Sequence, residues 1–406
     1  MPMVAERGRA TQAPSLPGER VLDFDIYHIV CGDGDYQRAL AEVVQAKGQP
    51  VLWTPHNGGH WIAANYEAIA AVLGDEEHFT ANQVTVPSRP ETYMRSRPLQ
   101  TDGEEHAKYK ALLAPFLTPR AVAALTEQVR DLTIRLIEGF KPRGSCEFVG
   151  AFAQHLPIAI FISIAGFPER DRVQLTAWAD EVLRGETDED RNRARMHLCE
   201  YGKKIVAERR KTPRSDVLSA LIAAEIDGTP IDDETMDGIV TFLLVAGLDT
   251  VASTMGFMAR FLALNPAHRQ ELIDNPRLIP DAVEEMLRRF AVVNPARQVR
   301  EDVEFFGCQL RKGDMMLCPT SLGGLDASRF HDPLTVDFHR PRQLHLSFGG
   351  AAHRCMGSML ARTELKIFLE EWLARIPHFR IAPDEHAVTK ARQIATVTHL
   401  PLEWEV

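Results

Sequence analysis

The segment of residues 236–264 constrains the fold more than any other, because it has the length of a long helix and is apolar on most sides. A helix that is hydrophobic all round must be buried rather than lie on a surface. Its most apolar stretch, residues 238–248, is shorter than the roughly 20 residues that a membrane-spanning helix requires. We therefore predict a helix that crosses the interior of one large domain, and we expect no membrane segment.

Shorter patterns indicate how the rest of the domain is built. Val51-Leu52-Trp53 and His60-Trp61-Ile62 flank a glycine turn, which predicts a β-hairpin. Apolar residues recur at helical spacing over residues 122–140 and 360–376, and short strands return near residues 298–310 and near the C-terminus. The predicted fold class is mainly α with a minor β portion.

Composition and charge narrow the function classes. No repeat divides the 406 residues, so we expect one domain over residues 21–406 after a flexible tail of residues 1–20. A net charge of -10 argues against a nucleic-acid partner. The six cysteines include no C-x-x-C pair, and nothing resembles a secretory signal. We expect a cytoplasmic protein with reduced thiols.

A glycine-rich segment, residues 348–357, carries the clearest chemical signal. Cys355 follows two glycines and stands just before the amphipathic helix predicted from residue 360. Glycines let the backbone approach a flat ligand closely, and a helix N-terminus together with His353 favours the thiolate form of the cysteine. A buried cysteine in a turn is the alternative for a lone residue, and we keep it for the other five cysteines.

The segment resembles the haem-binding loop of the cytochrome P450 superfamily, whose pattern is Phe-x-x-Gly-x-(His or Arg)-x-Cys-x-Gly. Phe348, His353, Cys355 and Gly357 match the pattern, whereas Ala351 stands where glycine is expected. The resemblance extends over most of the chain and is greatest to the bacterial camphor monooxygenase family.

The resemblance implies both the cofactor and its place. Haem b (iron protoporphyrin IX) would lie between the long central helix and the helix that follows the cysteine loop. Cys355 would be the axial ligand of the iron, and Phe348, Gly349 and Gly357 would contact the cofactor. A thiolate ligand supplies the electron density that haem iron needs for O–O bond cleavage.

An acid and an alcohol, Asp249 and Thr250, lie midway along the apolar helix, and they share a helix face with Phe242, Val245 and Ala246. An unpaired charge buried in such a helix is costly. The resemblance assigns this catalytic pair to proton delivery during the activation of dioxygen.

The glycine before this pair has an expected role of its own, and the pair has an alternative interpretation. Gly247, which precedes the pair, is expected to leave room for oxygen. The alternative to a catalytic role is that the Thr250 hydroxyl bonds back to the carbonyl of Ala246, while Asp249 pairs with an arginine such as Arg184.

For charged residues elsewhere in the chain, only the resemblance to the family implies a structural or haem-binding role. Glu285 and Arg288 stand at i, i+3 on one helix face, and the family makes them, with Arg340, a buried structural triad. The residues nominated to bind the haem propionates are His106, Lys110, Arg297 and His353. Lys110 stands where arginine is usual, and because lysine lacks the two-pronged fork, we expect a weaker or water-mediated contact there.

The substrate pocket is assigned in the same way. Its candidate residues are Tyr93, Met94, Leu99, Phe242, Val245, Ala246, Val293, Gln393 and Ile394. The camphor enzymes hold the substrate ketone with a tyrosine, whereas Met94 aligns there, with Tyr93 one residue earlier. Losing that buried hydrogen bond would reduce selectivity for camphor. We predict a small terpenoid or norisoprenoid, such as cineole or an ionone, as the substrate.

The electron donor follows from the resemblance as well. Related enzymes use O2 and receive electrons from an NADH-dependent reductase through a two-iron ferredoxin, and Lys110, Arg342 and Arg362 match the positions that would face this acidic partner. A monomer is expected. The alternatives are a peroxide-driven haem–thiolate peroxygenase, which the Asp249–Thr250 pair disfavours, and a non-catalytic haem binder.

Overall fold

Helices make up most of the structure, a computed structural model that describes residues 16–29, 31, 34–89, 94–185, 187–247 and 249–406. Within these residues the helices are α1 (Tyr36–Gln45), α2 (Tyr66–Gly74), α3 (Gly103–Leu113), α4 (Pro119–Phe140), α5 (His155–Ala165), α6 (Arg172–Arg184), α7 (Asp188–Lys211), α8 (Val217–Ile222), α9 (Asp233–Ala246), α10 (Thr250–Leu264), α11 (Pro266–Asp274), α12 (Ile279–Arg289), α13 (Thr320–Gly324) and α14 (Ser358–Arg375).

The strands are short, as the sequence predicts. Their bounds are β1 (Val51–Thr54), β2 (His60–Ala63), β3 (Phe79–Thr80), β4 (Ser145–Glu147), β5 (Glu225–Ile226), β6 (Thr229–Pro230), β7 (Ala296–Val299), β8 (Val303–Phe305), β9 (Cys308–Leu310), β10 (Met315–Leu317), β11 (Phe379–Ile381), β12 (Val388–Lys390), β13 (Thr396–His399) and β14 (Pro401–Trp404). The fold class, mainly α with a minor β portion, is confirmed.

The largest sheet contains the predicted hairpin. β1 and β2 pair antiparallel with Trp53 opposite Trp61, and the sheet continues in the order β1-β2-β10-β7-β3. β7 pairs with β10 on one side and with β3 on the other, so its residue Arg297 has a fixed place in the centre of a ladder.

The predicted central helix is present, but it is not continuous. α9 ends at Ala246 and α10 begins at Thr250, while Gly247 and Asp249 lie in the turn between them. The prediction of one unbroken helix over residues 236–264 is therefore wrong. Glycine is a poor helix former, and aspartate at the position before a helix is a typical starting signal, so the local sequence itself favours the break.

The two helices together have the length and apolar composition of a membrane-crossing helix. This stretch, Asp233–Leu264, is the one such candidate among the described residues, and 65% of its most apolar window is buried inside the protein. Burial by protein is what we expect of a core helix.

The core consists of two clusters of buried side chains. One packs the large sheet against α10, α12 and α14, and the other packs α5 to α9 together. Within the first cluster, Trp372 and Phe368 of α14 meet Phe148 and Phe152 at ring-centroid distances of 5.0 to 5.6 Å. Aromatic packing of this kind fixes the position of α14, the helix that follows the cysteine loop.

Part of the predicted N-terminal tail is attached to the domain. Gly18–Arg20 form a single helical turn, and the Arg20 guanidinium donates a hydrogen bond of 3.1 Å to the carbonyl of Phe306. Residues 1–15 lie outside the described residues. The Arg20 side chain attaches residues 18–20 to the domain, and the flexible tail over residues 1–20 stays a prediction.

Candidate active site

Cys355 lies at the end of a tight loop that leads into α14. Its backbone N–H donates a hydrogen bond of 2.9 Å to the carbonyl of Phe348, and Gly349, with φ of 70°, makes the left-handed turn between them. Ala351 also has a positive φ, 48°, which glycine adopts freely but which costs other residues about 1–2 kcal/mol. The loop therefore keeps at Ala351 the conformation for which the family pattern uses glycine.

The Cys355 thiol is accessible at the surface of its loop. The protein around it is nevertheless dense enough for desolvation to raise the pKa of the thiol. Two backbone N–H groups, those of Gly357 and Ser358, and the charges of Lys110 and Arg362 act in the opposite direction and favour the thiolate. Such a thiol is largely protonated on its own and loses its proton when it coordinates a metal ion.

Side chains of α12 and α14 hold the cysteine loop in position. The Arg362 guanidinium stacks on the Phe348 ring, 4.5 Å from its centroid, and binds the carboxylate of Glu284 through Nε at 2.5 Å and Nη2 at 3.0 Å. Burial alone would raise the pKa of Glu284, but the contacts with His345 and Arg362 hold it below its usual value. A two-pronged arginine–carboxylate pair is geometrically specific, so it fixes the ring of Phe348.

Cationic side chains gather beside the loop. The rings of His106 and His353 stack with their centroids 4.0 Å apart, and the Lys110 amine donates hydrogen bonds to the carbonyls of Ala352 and Arg354. His106 contacts the carbonyl of Ala352 at 3.2 Å through Nε2. The three predicted cations that α3 and the cysteine loop carry are therefore close together in space.

Arg297, the fourth predicted cation, is buried on β7, and its charge acts on His353. Its Nη1 donates a hydrogen bond of 2.8 Å to the carbonyl of Ala296. Burial lowers the pKa of His353, as do the charges of Arg297 and His106, whereas the contact with Asp102 raises it.

The buried triad has the geometry that the family resemblance implies. Arg288 donates to both carboxylate oxygens of Glu285 at 2.8 Å, and Arg340 donates to Oε1 of Glu285 at 3.1 Å. The remaining guanidinium donors bind backbone carbonyls of residues 324–335. Glu285 and Arg288 are buried and the Arg340 side chain is 12% exposed, so the triad fixes the segment that precedes the cysteine loop.

Asp249 and Thr250 lie at the break in the central helix. Asp249 is buried with 5% of its surface exposed, and Thr250 is the half-buried first residue of α10. The carbonyl of Thr250 accepts a hydrogen bond of 2.8 Å from the Thr254 hydroxyl. Among the described residues, the Thr250 hydroxyl makes no bond back to Ala246, and the side chain of Arg184 lies outside them.

Gly247 has a packing role. A Cβ atom at this position would lie 2.6 Å from the ring of Phe161 on α5. No side chain fits at that distance without displacement of the ring, so Gly247 permits the close approach of α5. The expectation that Gly247 leaves room for oxygen is not supported by these contacts.

These residues together fit a haem group. An accessible thiol can ligate iron, and a nearby set of two histidines, a lysine and an arginine suits the two carboxylates at one edge of the porphyrin. His353 Nε2 is buried and lacks an aligned hydrogen-bond partner, which leaves a donor available at this edge.

Comparison with known proteins decides the family. The sequence model of the family described as Cytochrome P450 matches residues 169–401. Probable cytochrome P450 127A1 of Sinorhizobium fredii is 33% identical over 92% of this chain and 91% of its own length. The chain belongs to the cytochrome P450 family. It is a haem-containing monooxygenase that uses O2 and an organic substrate.

Solved P450 structures show the same fold over nearly the whole chain. CYP101J2 superposes with a TM-score of 0.90 at 38% identity and covers 98% of this chain and 100% of its own. CYP101C1 superposes with a TM-score of 0.89 at 34% identity and covers 97% and 100%. This P450 is therefore close to the camphor-type CYP101 family, as the sequence motifs indicate.

The predicted pocket residues of this P450 divide into two groups. Leu99, with 37% of its surface exposed, and Ala246 are exposed, while Phe242, Val245, Val293 and Ile394 are half-buried. Apolar side chains on α9 and on the segment before α3 are therefore accessible rather than packed into the core. The amide of Gln393 donates a hydrogen bond of 3.2 Å to the carbonyl of Val84, so that side chain is engaged by the backbone.

Met94 lies between two helices of this P450. Its sulfur is 3.8 Å from Cys199 Sγ on α7, and Cys199 lies 3.5 Å from the Thr241 hydroxyl on α9. The carbonyl of Met94 accepts a hydrogen bond from Arg195. Tyr93, the other candidate at this position, lies outside the described residues.

The predicted partner surface is less positive than its three cations suggest. Arg342 binds Asp281 at 2.6 Å, Arg362 binds Glu284, and the Lys110 amine is bound by two loop carbonyls. Arg342 remains 62% exposed. Acidic residues of α12 thus neutralise part of the charge that the sequence alone places at this surface.

Sequence reasoning missed two buried acids of this P450. Asp102, just before α3, contacts His353 and Arg300. Glu364 on α14 is 2% exposed, and burial raises its pKa to about 8. The four-residue spacing from Asp102 to His106 and then to Lys110 was the available signal for Asp102, whereas nothing in the amphipathic pattern of α14 marks Glu364 as ionisable and buried.

Proposed function

We propose that this P450 hydroxylates a small hydrophobic terpenoid or norisoprenoid, such as a cineole-, ionone- or camphor-like compound, with electrons from NADH through a ferredoxin reductase and a two-iron ferredoxin. The observation that carries the substrate class is the apolar set on α9 and before α3, in which Leu99 and Ala246 are exposed. Apolar pockets with few polar groups bind compounds of this kind.

The residues at the break in the central helix have proposed roles in proton transfer. A haem held by the Cys355 thiolate would supply the chemistry of dioxygen activation. The Thr250 hydroxyl, at the first position of α10, orients a hydrogen-bonded water, and the buried Asp249 passes protons from solvent to it. The break supports this proposal, because it removes Thr250 from the regular hydrogen-bond pattern of a helix interior.

Thr250→Ala is expected to uncouple NADH consumption from product formation. Without the hydroxyl, the water that delivers protons is no longer held in place. The product formed per NADH therefore falls several-fold, and hydrogen peroxide appears. Both are measured in the system reconstituted with reductase and ferredoxin. Thr254→Ala is the matched control, because the Thr254 hydroxyl binds the Thr250 carbonyl one turn further along α10.

Unchanged coupling in Thr250→Ala, with the control also unchanged, contradicts the role of Thr250. The same assay separates the alternatives. A peroxygenase would form product from hydrogen peroxide and none from NADH with redox partners. A non-catalytic haem binder would form product from neither.

The substrate class is tested by titrating the ferric holoenzyme with camphor, cineole, ionones and other monoterpenes and following the spin state. We expect a large shift to high spin with a terpenoid other than camphor, since Met94 cannot donate a hydrogen bond to the camphor ketone. A preferred shift with camphor would contradict the role of Met94. No shift with any member of the panel, in a protein that binds haem normally, would contradict the terpenoid proposal.

The electron donor is proposed from the cations beside the cysteine loop, and the cellular location is proposed from the similarity to bacterial enzymes. An acidic ferredoxin would meet Arg342 and Lys110 beside the cysteine loop, where the short path to the thiolate favours electron transfer. The similarity to a bacterial P450 supports a cytoplasmic, monomeric enzyme without a membrane or nucleic-acid partner.

A further inference from the structure

Asp102 occupies the position before α3 but does not cap the helix. No side-chain hydrogen bond joins it to the first turn of α3, although aspartate at this position usually makes one. Its carboxylate instead accepts hydrogen bonds from the Thr80 hydroxyl at 2.5 Å and from the backbone N–H of Ala81 at 2.9 Å. Both donors belong to the β3 edge of the large sheet.

The same carboxylate contacts two cations. Arg300, which directly follows β7, donates to Oδ2 at 2.7 Å, and His353 Nε2 of the cysteine loop lies 3.4 Å from Oδ1. The second distance is that of an ion pair rather than of a well-aligned hydrogen bond. The Asp102 side chain is 11% exposed and that of His353 is 6% exposed, so their contact is shielded from water, whereas the Arg300 side chain is 38% exposed.

Asp102 therefore connects every element that carries a proposed propionate-binding residue. It is attached to α3, which carries His106 and Lys110, it binds the residue after β7, which carries Arg297, and it touches His353 itself. Burial would raise the pKa of Asp102, but its contacts with His353, Thr80, Ala81 and Arg300 outweigh this and hold the pKa far below the usual value. The carboxylate is thus ionised at neutral pH.

We propose that Asp102 is a positioning residue that holds α3, the end of β7 and the cysteine loop in the arrangement in which their cations bind the two haem propionates. The inference rests on the proposed propionate roles of His106, Lys110, Arg297 and His353. This role explains why a carboxylate lies among the cations that bind the propionates. The negative charge of Asp102 reduces the repulsion between those cations, so they can lie close together before the cofactor binds.

The test is the rate at which the ferric holoenzyme loses its cofactor to an excess of apomyoglobin. Each protein is reconstituted with haem b or with its dimethyl ester, in which both propionates are blocked. Asp102→Asn is expected to lose haem b about tenfold faster than the unchanged protein, the effect of one charge-assisted hydrogen bond. Loss of the dimethyl ester is expected to be unchanged.

Asp35→Asn is the matched control. Asp35 also precedes a helix and forms a buried pair with an arginine, Arg289, at 2.5 Å, but the two residues belong to α1 and α12, which carry none of the proposed propionate cations. This variant is expected to lose both cofactors at the normal rate. If Asp102→Asn folds poorly, Asp102→Glu, which keeps the charge but shifts its position, is expected to show a smaller acceleration that is again confined to haem b.

The outcomes distinguish the positioning role of Asp102 from the propionate-binding roles of the cations on which it rests. If Asp102→Asn accelerates the loss of both cofactors equally, or of neither, Asp102 is not a positioning residue for the propionates. His353→Ala tests the basis: it is expected to accelerate the loss of haem b and not of the ester. If His353→Ala and Arg297→Ala both fail to distinguish the two cofactors, the propionate assignment itself is wrong.

Discussion

Arg288→Ala is expected to destabilise the protein by about 3–5 kcal/mol, because it leaves the buried carboxylate of Glu285 facing a single arginine. Arg288 donates to both oxygens of Glu285 and to the carbonyls of Gly324, Pro333 and Thr335 at 2.6 to 3.1 Å. Removing it takes a donor from five acceptors at once, of which Glu285 Oε1 and the Thr335 carbonyl keep a hydrogen bond from Arg340. The effect is measured as the loss of free energy of unfolding in urea and as the loss of soluble holoenzyme.

Arg193→Ala is the control for this prediction. Arg193 also pairs with two acids, Glu181 and Asp190, but its side chain is 51% exposed, and exposed pairs contribute about 0–1 kcal/mol. An Arg288→Ala variant that is no less stable than Arg193→Ala would show that the buried triad does not hold the segment before the cysteine loop in place.

Cys355→Ser is expected to abolish ferredoxin-driven product formation while leaving the protein folded. Serine removes the thiolate whose electron density promotes O–O cleavage, but the side chain is exposed, so its replacement leaves no void in the packed core. Cys146→Ser, in β4, is the control and should keep normal turnover. Product formation by Cys355→Ser at an undiminished rate would contradict the assignment of the ligand.

Patterns of local sequence predicted most of the framework. The glycine turn between Trp53 and Trp61 gave the correct hairpin, and the amphipathic spacing after residue 360 gave the position of α14, because both depend on nearest neighbours along the chain. The Glu285–Arg288 pair could be predicted for the same reason, because its two residues are one helical turn apart.

Contacts between distant segments were not predictable in this way. The two-pronged binding of Arg362 to Glu284 and the hydrogen bonds of Lys110 to the cysteine loop join residues 78 and more than 240 positions apart. Both reduce the charge that the sequence suggested for a partner surface. Asp102 belongs to the same class, because its importance comes from where β3, β7 and the cysteine loop meet.

The break in the central helix illustrates a different difficulty. The apolar pattern of residues 236–264 is continuous, so it predicts one helix, whereas the structure has two helices, with Gly247 packed closely against Phe161 beside the interruption. Hydrophobic periodicity reports which face is buried but not whether the backbone hydrogen bonds are unbroken. The acid and the alcohol at the break were nevertheless the clearest sign that this part of the helix has a chemical role.

The most direct test of the central claim, that the Cys355 thiolate is the iron ligand, is the absorption spectrum of the reduced carbon monoxide complex. The unchanged holoenzyme and Cys146→Ser are predicted to show the long-wavelength band of a thiolate-ligated haem, and Cys355→Ser is predicted to lack it while still binding haem. If Cys355→Ser keeps that band, another residue ligates the iron and the account of this active site is wrong.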